Sequence, residues 1–248
     1  MEINKSCKLL LENVYLYDIS ACHYTILERL GHDMSLIEKD DKKKRNIQIG
    51  LMMKENPRLI GVLRSITNST IDQYILRNNI KEEDLILRQY DGIIIKKKLT
   101  ETTLHIPIEF KYIFTHMLIS SDRQKYIALG RFEGIDNTVF IKGVSNRYEK
   151  MDEILGSLIK RVSNSIANKS GIFGVLQSIK TQILTSEDPL LYCIPTNKDK
   201  FNIFLKRYGE TQISKGVTKL LDTSDIDKQK YYDFYVRPFS ESVCIEFM

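Results

Sequence analysis

Two aspartates stand where this chain can do chemistry. Asp91 lies in Ile86-Leu87-Arg88-Gln89-Tyr90-Asp91-Gly92-Ile93-Ile94-Ile95, where two apolar, β-branched runs flank Tyr-Asp-Gly. Asp-Gly between such runs is the strongest short-range signal for a tight reversal between antiparallel strands. A carboxylate is thereby set at a strand tip, aimed by the strands and open to a ligand. Val14-Tyr15-Leu16-Tyr17-Asp18-Ile19-Ser20 repeats the arrangement, a short apolar strand ending in one aspartate. Brought together on neighbouring strands, Asp18 and Asp91 are a donor set for divalent cations. Each also has a purely structural reading, turn chemistry for Asp91 and a helix cap for Asp18.

These positions need elements that hold them. Residues 9–19 read as a strand, and Ala21 to Leu30 as a helix with Ile26, Leu27 and Leu30 on one face and Gly31 past its end. The charged stretch Asp33 to Arg45, with Lys42-Lys43-Lys44-Arg45, leads into a helix over Ile47 to Lys54, and Pro57 opens the next. From Arg58 to Leu76 the residues Leu59, Ile60, Leu63, Ile66, Ile71, Tyr74 and Ile75 keep a rough helical period. Further strands are expected at Lys125–Leu129 and Val139–Gly143, around the turn-prone Glu133-Gly134-Ile135-Asp136-Asn137. Met151 to Ala167 carries the clearest apolar stripe: Ile154, Leu155, Leu158, Ile159, Val162 and Ile166. Residues 171–248, rich in tyrosines such as Tyr208, Tyr231, Tyr232 and Tyr235, carry no clear periodicity.

With 248 residues, 42% of them hydrophobic, the chain has enough apolar surface for a sizeable core. A formal net charge of +5 suits a polyanionic partner without requiring one. Cys7, Cys22, Cys193 and Cys244 are too dispersed for a zinc site or a disulfide framework. His23, His32, His105 and His116 show neither an i, i+4 pair nor a nearby nucleophile, which gives a hydrolase triad little support. No stretch has the length and apolarity to span a bilayer. The expectation is a soluble, cytoplasmic protein with no membrane partner, in the host cytoplasm if the source is a virus.

Three segments in order resemble the motifs of family B DNA polymerases. Asp18-Ile19-Ser20-Ala21-Cys22-His23-Tyr24-Thr25-Ile26 is similar to the family's first palm motif, with His23 where the family has a tyrosine that screens the sugar. Arg64-Ser65-Ile66-Thr67-Asn68-Ser69 keeps the cation and Asn-Ser of the second motif and lacks its tyrosine and glycine. Arg88-Gln89-Tyr90-Asp91-Gly92 resembles the third, with Asp91 at the second aspartate and Gln89 at the first. Downstream, Arg123-Gln124-Lys125-Tyr126 and Ile141-Lys142-Gly143-Val144 look like the family's basic-x-Tyr and Lys-Gly features. The likeness covers roughly residues 12–165.

The resemblance implies template-directed nucleotidyl transfer by a two-metal mechanism, with Mg2+ or Mn2+ held by Asp18 and Asp91. It places Arg64, Asn68, His23, Arg45 and Lys44 about the nucleotide, and Arg123, Lys125, Tyr126, Lys142 and Gly143 along nucleic acid. The implied partners are a DNA primer-template, nucleoside triphosphates and a second polymerase chain or accessory subunit. The implied fold is α+β: a polymerase-like palm with a small antiparallel sheet over residues 1–148, a short helical fingers hairpin at about 31–80, and a mixed, thumb-like region at 149–248. The span between the first two motifs is shorter than the family's, and the expectation is a minimal palm and fingers portion lacking the exonuclease domain. Two other classes stay open. Asp91-Gly92-Ile93-Ile94-Ile95-Lys96 resembles a strand motif of nucleic-acid ligases, although the first 90 residues lack their Lys-x-Asp-Gly nucleophile; and a catalytically inactive nucleic-acid-binding module would use both aspartates structurally.

Overall fold

The computed structural model describes residues 2–132, 135–144, 149–168, 171–192, 224 and 226–248. Among these the fold is mixed, with seven strands paired antiparallel wherever a register is defined, and seven α-helices. The chain divides into two compact units, Met1–Cys7 with Asn13–Ile113, and Lys8–Glu12 with Phe114–Met248.

The first unit has the strand order β1-β3-β4-β2. Here β1 is Glu2–Ile3, β2 Leu10–Asp18, β3 Leu85–Arg88 and β4 Gly92–Ile95, with β2 entering this unit at Asn13. Strands β3 and β4 form the expected hairpin, pairing Arg88 with Ile93 and Leu87 with Ile94. Its reversal is tight, since Gln89 N donates to Gly92 O (2.8 Å). On its other side β4 pairs with β2, Tyr17 opposite Ile93 and Asp18 opposite Gly92. That register explains the glycine. Gly92 has no positive φ; a Cβ on it would overlap the Tyr17 carbonyl oxygen and lie 3.2 Å from Asp18 Oδ1.

Three helices cover this sheet: α1 (Cys22–Arg29), α2 (Lys42–Glu55) and α3 (Arg58–Arg77). Helix α2 starts upstream of the apolar run because the Asp41 carboxylate accepts from the Lys43 and Lys44 amides (both 3.0 Å). Helix α3 buries Leu59, Leu63, Thr67, Thr70, Ile71 and Tyr74, a 3.6-residue stripe that packs with Ile26 and Leu27 of α1 and Tyr17, Ile93 and Ile95 of the sheet. One side chain of α3, Tyr74, and that of its C-cap residue, Asn78, organise the chain that follows β4. Asn78 Oδ1 accepts from Thr100 N (2.8 Å) and Glu101 N (2.9 Å). The Tyr74 hydroxyl, fully buried, lies within hydrogen-bonding distance of Leu104 N (2.9 Å), Ile108 N (3.2 Å), Thr102 O and Ile106 O (2.8 Å each).

The second unit has the strand order β5-β6-β7: β5 (Glu109–Ile119, entering this unit at Phe114), β6 (Tyr126–Phe132) and β7 (Ile135–Lys142). Strands β6 and β7 match the two expected there, paired Ile127 to Ile141 and Leu129 to Val139; β5 has no counterpart in the sequence reading. Helix α4 (Glu149–Ala167) buries the predicted stripe of Ile154, Leu155, Leu158, Ile159 and Val162. Its partners come from the stretch without clear periodicity, in α5 (Ile172–Thr185), α6 (Lys228–Tyr235) and α7 (Arg237–Phe247). They supply Ile179, Ile183, Tyr231, Tyr235, Phe239 and Val243 to one core. Glu133, Gly134, Cys193 and Tyr208 lie outside the described residues. Among the described residues no helix is long and apolar enough to cross a membrane.

Candidate active site

Both aspartates line one cleft of about 380 Å3 in the first unit. Asp18 reaches it from the last position of β2 and Asp91 from the β3–β4 turn. Ile19 N donates to Asp91 O (2.8 Å), so the main chain beside one aspartate is tied to the other.

Helix α1 forms a second wall. The chain enters it through Ala21, which is left-handed (φ 48, ψ 43) and offers no side-chain cap. For a non-glycine residue that conformation costs about 1–2 kcal/mol, and here it turns the strand sharply enough for Ala21, Cys22, His23 and Tyr24 all to line the cleft. His23 Nε2 and the Tyr90 hydroxyl are 3.1 Å apart, with the rings edge to face at 5.5 Å. Burial holds the His23 imidazole below its usual range, against the opposing pull of Asp91. The Cys22 thiol is pushed up to about 11 by burial, against a hydrogen bond with Thr67 and with added repulsion from Asp91 and Asp18. A thiol held that high stays protonated and is a poor nucleophile at neutral pH.

Helix α2 supplies the third wall through Lys42, Arg45, Asn46, Ile49, Gly50 and Met53. Their spacing, i, i+3, i+4, i+7, i+8, i+11, is one helix face. The cleft is thus lined by two carboxylates and, from α2, by Lys42 and by Arg45, whose guanidinium donates to Lys39 O.

The other positions expected about a nucleotide lie elsewhere. Arg64 and Asn68 are exposed on α3, off its buried stripe, and neither lines the cleft. The Asn68 carbonyl accepts from Arg88 (3.2 Å). Lys44 Nζ is 3.0 Å from Glu38 and 3.8 Å from Asp41. Lys42, Asn46 and Tyr90 are cleft residues that the sequence reading did not assign to a site; the helical spacing of the first two with Arg45 was the available signal.

In the second unit, Arg123, Lys125, Tyr126, Lys142 and Gly143 gather around the β5–β6 turn. Tyr126 pairs with Lys142 across β6 and β7. Gly143 has φ +78, and a Cβ on it would overlap the Gln124 carbonyl, so the turn and the end of β7 meet through glycine. Arg123 is left-handed (φ 53). Lys125 is nearly enclosed, its side chain 12% exposed, with Nζ 2.9 Å from Asp122 and 5.5 Å from the centre of the Phe234 ring. Tyr126 is buried against Phe114, so its ring belongs to the core and offers no accessible face. Lys142 is exposed.

His116 does meet a hydroxyl that sequence distance conceals: Ser163 Oγ is 2.9 Å from its Nδ1 and 3.2 Å from its Nε2. An oxygen beside both ring nitrogens is aligned with neither lone pair, and Glu12 is 3.8 Å from Nε2, beyond hydrogen-bonding distance. The contact is packing between β5 and α4.

Among the described residues no three His, Cys, Asp or Glu side chains converge as a metal-binding group. Magnesium binds through one or two carboxylates and leaves its other positions to water and substrate phosphate, and Asp18 and Asp91 are the carboxylates that line this cleft.

No protein-family model matches the chain, and no curated protein matches its sequence. Solved structures similar to it include the family B DNA polymerase from the hyperthermophilic archaeon Pyrobaculum calidifontis, at a TM-score of 0.48 and 12% sequence identity. That match covers 95% of this chain and 45% of the polymerase, so the chain spans less than half the length of that protein.

Proposed function

We propose that the cleft binds a nucleoside triphosphate with Mg2+ or Mn2+ and that the chain carries out template-directed nucleotidyl transfer, alone or as the palm subunit of a larger assembly. The observation that carries this reading is the placement of Asp18 and Asp91 on one cleft with Lys42 and Arg45 on another wall of it. Asp18 and Asp91 would hold the cation, whose bound form supplies charge stabilisation for the attacking hydroxyl and the departing pyrophosphate. Lys42 and Arg45 pair with the phosphates and offset charge as the leaving group departs. Asn46 adds an amide donor beside them. The His23–Tyr90 pair takes the sugar and base end, and its compact imidazole leaves room for a 2′-hydroxyl. Lys142 and Arg123 contact primer or template phosphates and set register without reading sequence, while the enclosed Lys125, paired with Asp122, shapes the turn that presents them.

A binding-only module is the second reading, favoured by the lack of a third acidic ligand among the described residues. Primer extension with Mg2+ and with Mn2+ separates the two. Under the enzymatic reading Asp91→Asn and Asp18→Asn each abolish extension, while salt-dependent DNA binding and the thermal midpoint change little. Extension at the wild-type rate by both variants would sink the catalytic assignment. A wild-type chain that binds primed DNA but extends none, with either metal and with candidate partner subunits present, would leave the binding module.

A further inference from the structure

The chain that carries Asp18 into the cleft is fastened from a direction the site does not otherwise use. Residues 19–21 are held at each step: Ile19 N by Asp91 O (2.8 Å), Ser20 O by the Thr25 hydroxyl (2.8 Å) and Ala21 O by Thr25 N (3.0 Å). The Ser20 side chain is held by the first residues of β5, where its hydroxyl donates to Glu109 Oε2 and Lys111 Nζ donates to Ser20 Oγ. Lys111 Nζ also donates to Glu109 Oε2 (2.7 Å), closing a three-membered ring of polar groups. Lys111, then the bond from Ser20, hold the Glu109 carboxyl below the usual carboxylate range. All three residues belong to the first unit.

Two features mark this ring as more than surface decoration. Its fixed point, Ser20, lies between Asp18 and the left-handed Ala21. Among the described residues the other non-glycine positions with positive φ are Asn13, Asn79 and Arg123. Asparagine tolerates that conformation through its short polar side chain, which alanine lacks. Strained backbone persists where its surroundings over-determine it, and such places cluster at functional sites. An exposed Lys–Glu pair alone adds little stability, and Glu109 is 53% exposed in its side chain.

We infer that Ser20, Glu109 and Lys111 are positioning residues: they hold the 19–21 turn in its strained form so that the Asp18 carboxylate and the His23 ring face one cleft. This rests on the nucleotidyl-transfer reading given above. The three residues touch no substrate; they act through the direction of Asp18. A misplacement of about 1 Å at a reacting centre costs on the order of a hundredfold in rate, so partial loosening should be read in kcat before KM.

The test is steady-state primer extension on a primed DNA duplex with deoxynucleoside triphosphates and Mg2+, beside thermal unfolding. The variants are Lys111→Met, Lys111→Arg and Ala21→Gly. Lys111→Met is expected to lower kcat at least about tenfold, with KM for nucleotide within about twofold and the midpoint nearly unchanged. Lys111→Arg, which keeps a donor cation, should recover most of that loss. Ala21→Gly relieves the strain and frees the turn, so it should hold or raise the midpoint while lowering kcat. Wild-type kcat in both Lys111→Met and Ala21→Gly overturns the positioning role and leaves the nucleotidyl-transfer reading intact. A fall of kcat in step with the midpoint in every variant also overturns it, in favour of stability alone. Absence of extension by the wild-type chain, with either metal and with candidate partner subunits present, overturns the reading beneath it and the inference together.

Discussion

Gly92 offers the most direct test of how β2 and β4 meet. Replacing it with alanine sets a methyl against the Tyr17 carbonyl oxygen, 3.2 Å from Asp18 Oδ1 and 3.3 Å from Asp18 Cα. Tyr17 cannot yield easily. Its backbone sits opposite Ile93 in the ladder, and its ring is buried with the hydroxyl accepting from Leu99 N (3.0 Å). Relief therefore requires the two strands to part at their tips. Overpacking of this kind costs roughly 1–3 kcal/mol, and loss of the final ladder pair places it near the upper end. In a chain of this size about 2–3 kcal/mol is a fall of roughly 4–12 °C in the thermal midpoint. Because the displaced group is Asp18, magnesium-dependent nucleotide binding should weaken more than the midpoint alone explains. Circular dichroism on heating and nucleotide titration, both at fixed Mg2+, measure the two effects. A Gly92→Ala chain that melts within about 1 °C of wild type would refute the close approach and the register on which the shared cleft depends.

Gly61 supplies the contrast: it lies within α3 with open space where a Cβ would stand, so Gly61→Ala should stabilise by about 0.4–1 kcal/mol, seen as a higher denaturation midpoint. Tyr74→Phe removes the hydroxyl that accepts from the part-buried Leu104 amide, while Ile108 N keeps its bond to Thr102 O (3.1 Å); the loss in urea unfolding should be about 1–3 kcal/mol, the cost of one unsatisfied group, and a change below about 1 kcal/mol would show that the 102–108 segment does not depend on this hydroxyl. Burial pushes the Asp122 carboxyl up, but bonds from Ser120 Oγ (2.5 Å), Lys125 Nζ (2.9 Å) and Gln124 N (3.0 Å) outweigh it and hold it below the usual carboxylate range. A depressed carboxylate contributes stability that is fully present above its unfolded pKa, near 4, and is lost as pH falls through the lower folded value. Asp122→Asn should therefore flatten the acid limb of stability below about pH 5 and leave its slope near neutrality unchanged.

Much of the first unit was readable because its strands and helices announce themselves by apolar period: Tyr15 and Tyr17, the Ile93–Ile95 run, and the stripe from Leu59 to Tyr74. The Asp-Gly signal located the hairpin, and its glycine serves a close approach to β2 with no positive φ. Arg64 drew attention through the company of Asn68 and Ser69, yet helix phase is set by the buried stripe and carries Arg64 away from the cleft. Lys42 and Asn46 escaped notice for the opposite reason. A face that lines a polar cleft has a helical period but no hydrophobic signature, and a lysine run looks like any solvated surface. Strand β5 hid because Lys111, Thr115 and His116 interrupt its alternation. Ser20 and Glu109 are 89 residues apart, and their contact exists only once both strands are placed.

The split of β2 between the two units bears on the order in which the chain can assemble itself. Lys8–Glu12 belongs to the second unit, where Leu9 O accepts from Ile119 N (2.7 Å) and Leu9 N donates to Glu246 Oε1 (2.6 Å), a residue 237 positions later. At roughly 5–20 residues per second a ribosome needs about 12–47 s to supply that last partner, whereas a hairpin such as β3–β4 closes in about 1–10 μs. The nascent chain thus carries the strand segment Leu9-Leu10-Leu11 without its β5 partner until Ile119 is made, and without Glu246 until synthesis is almost complete. An exposed apolar strand with unpaired amides is a template for wrong partners. Its first companions in the cell are then the factors that shield emerging chains, and the yield of active protein at high expression would be governed by them more than by the stability of the finished fold.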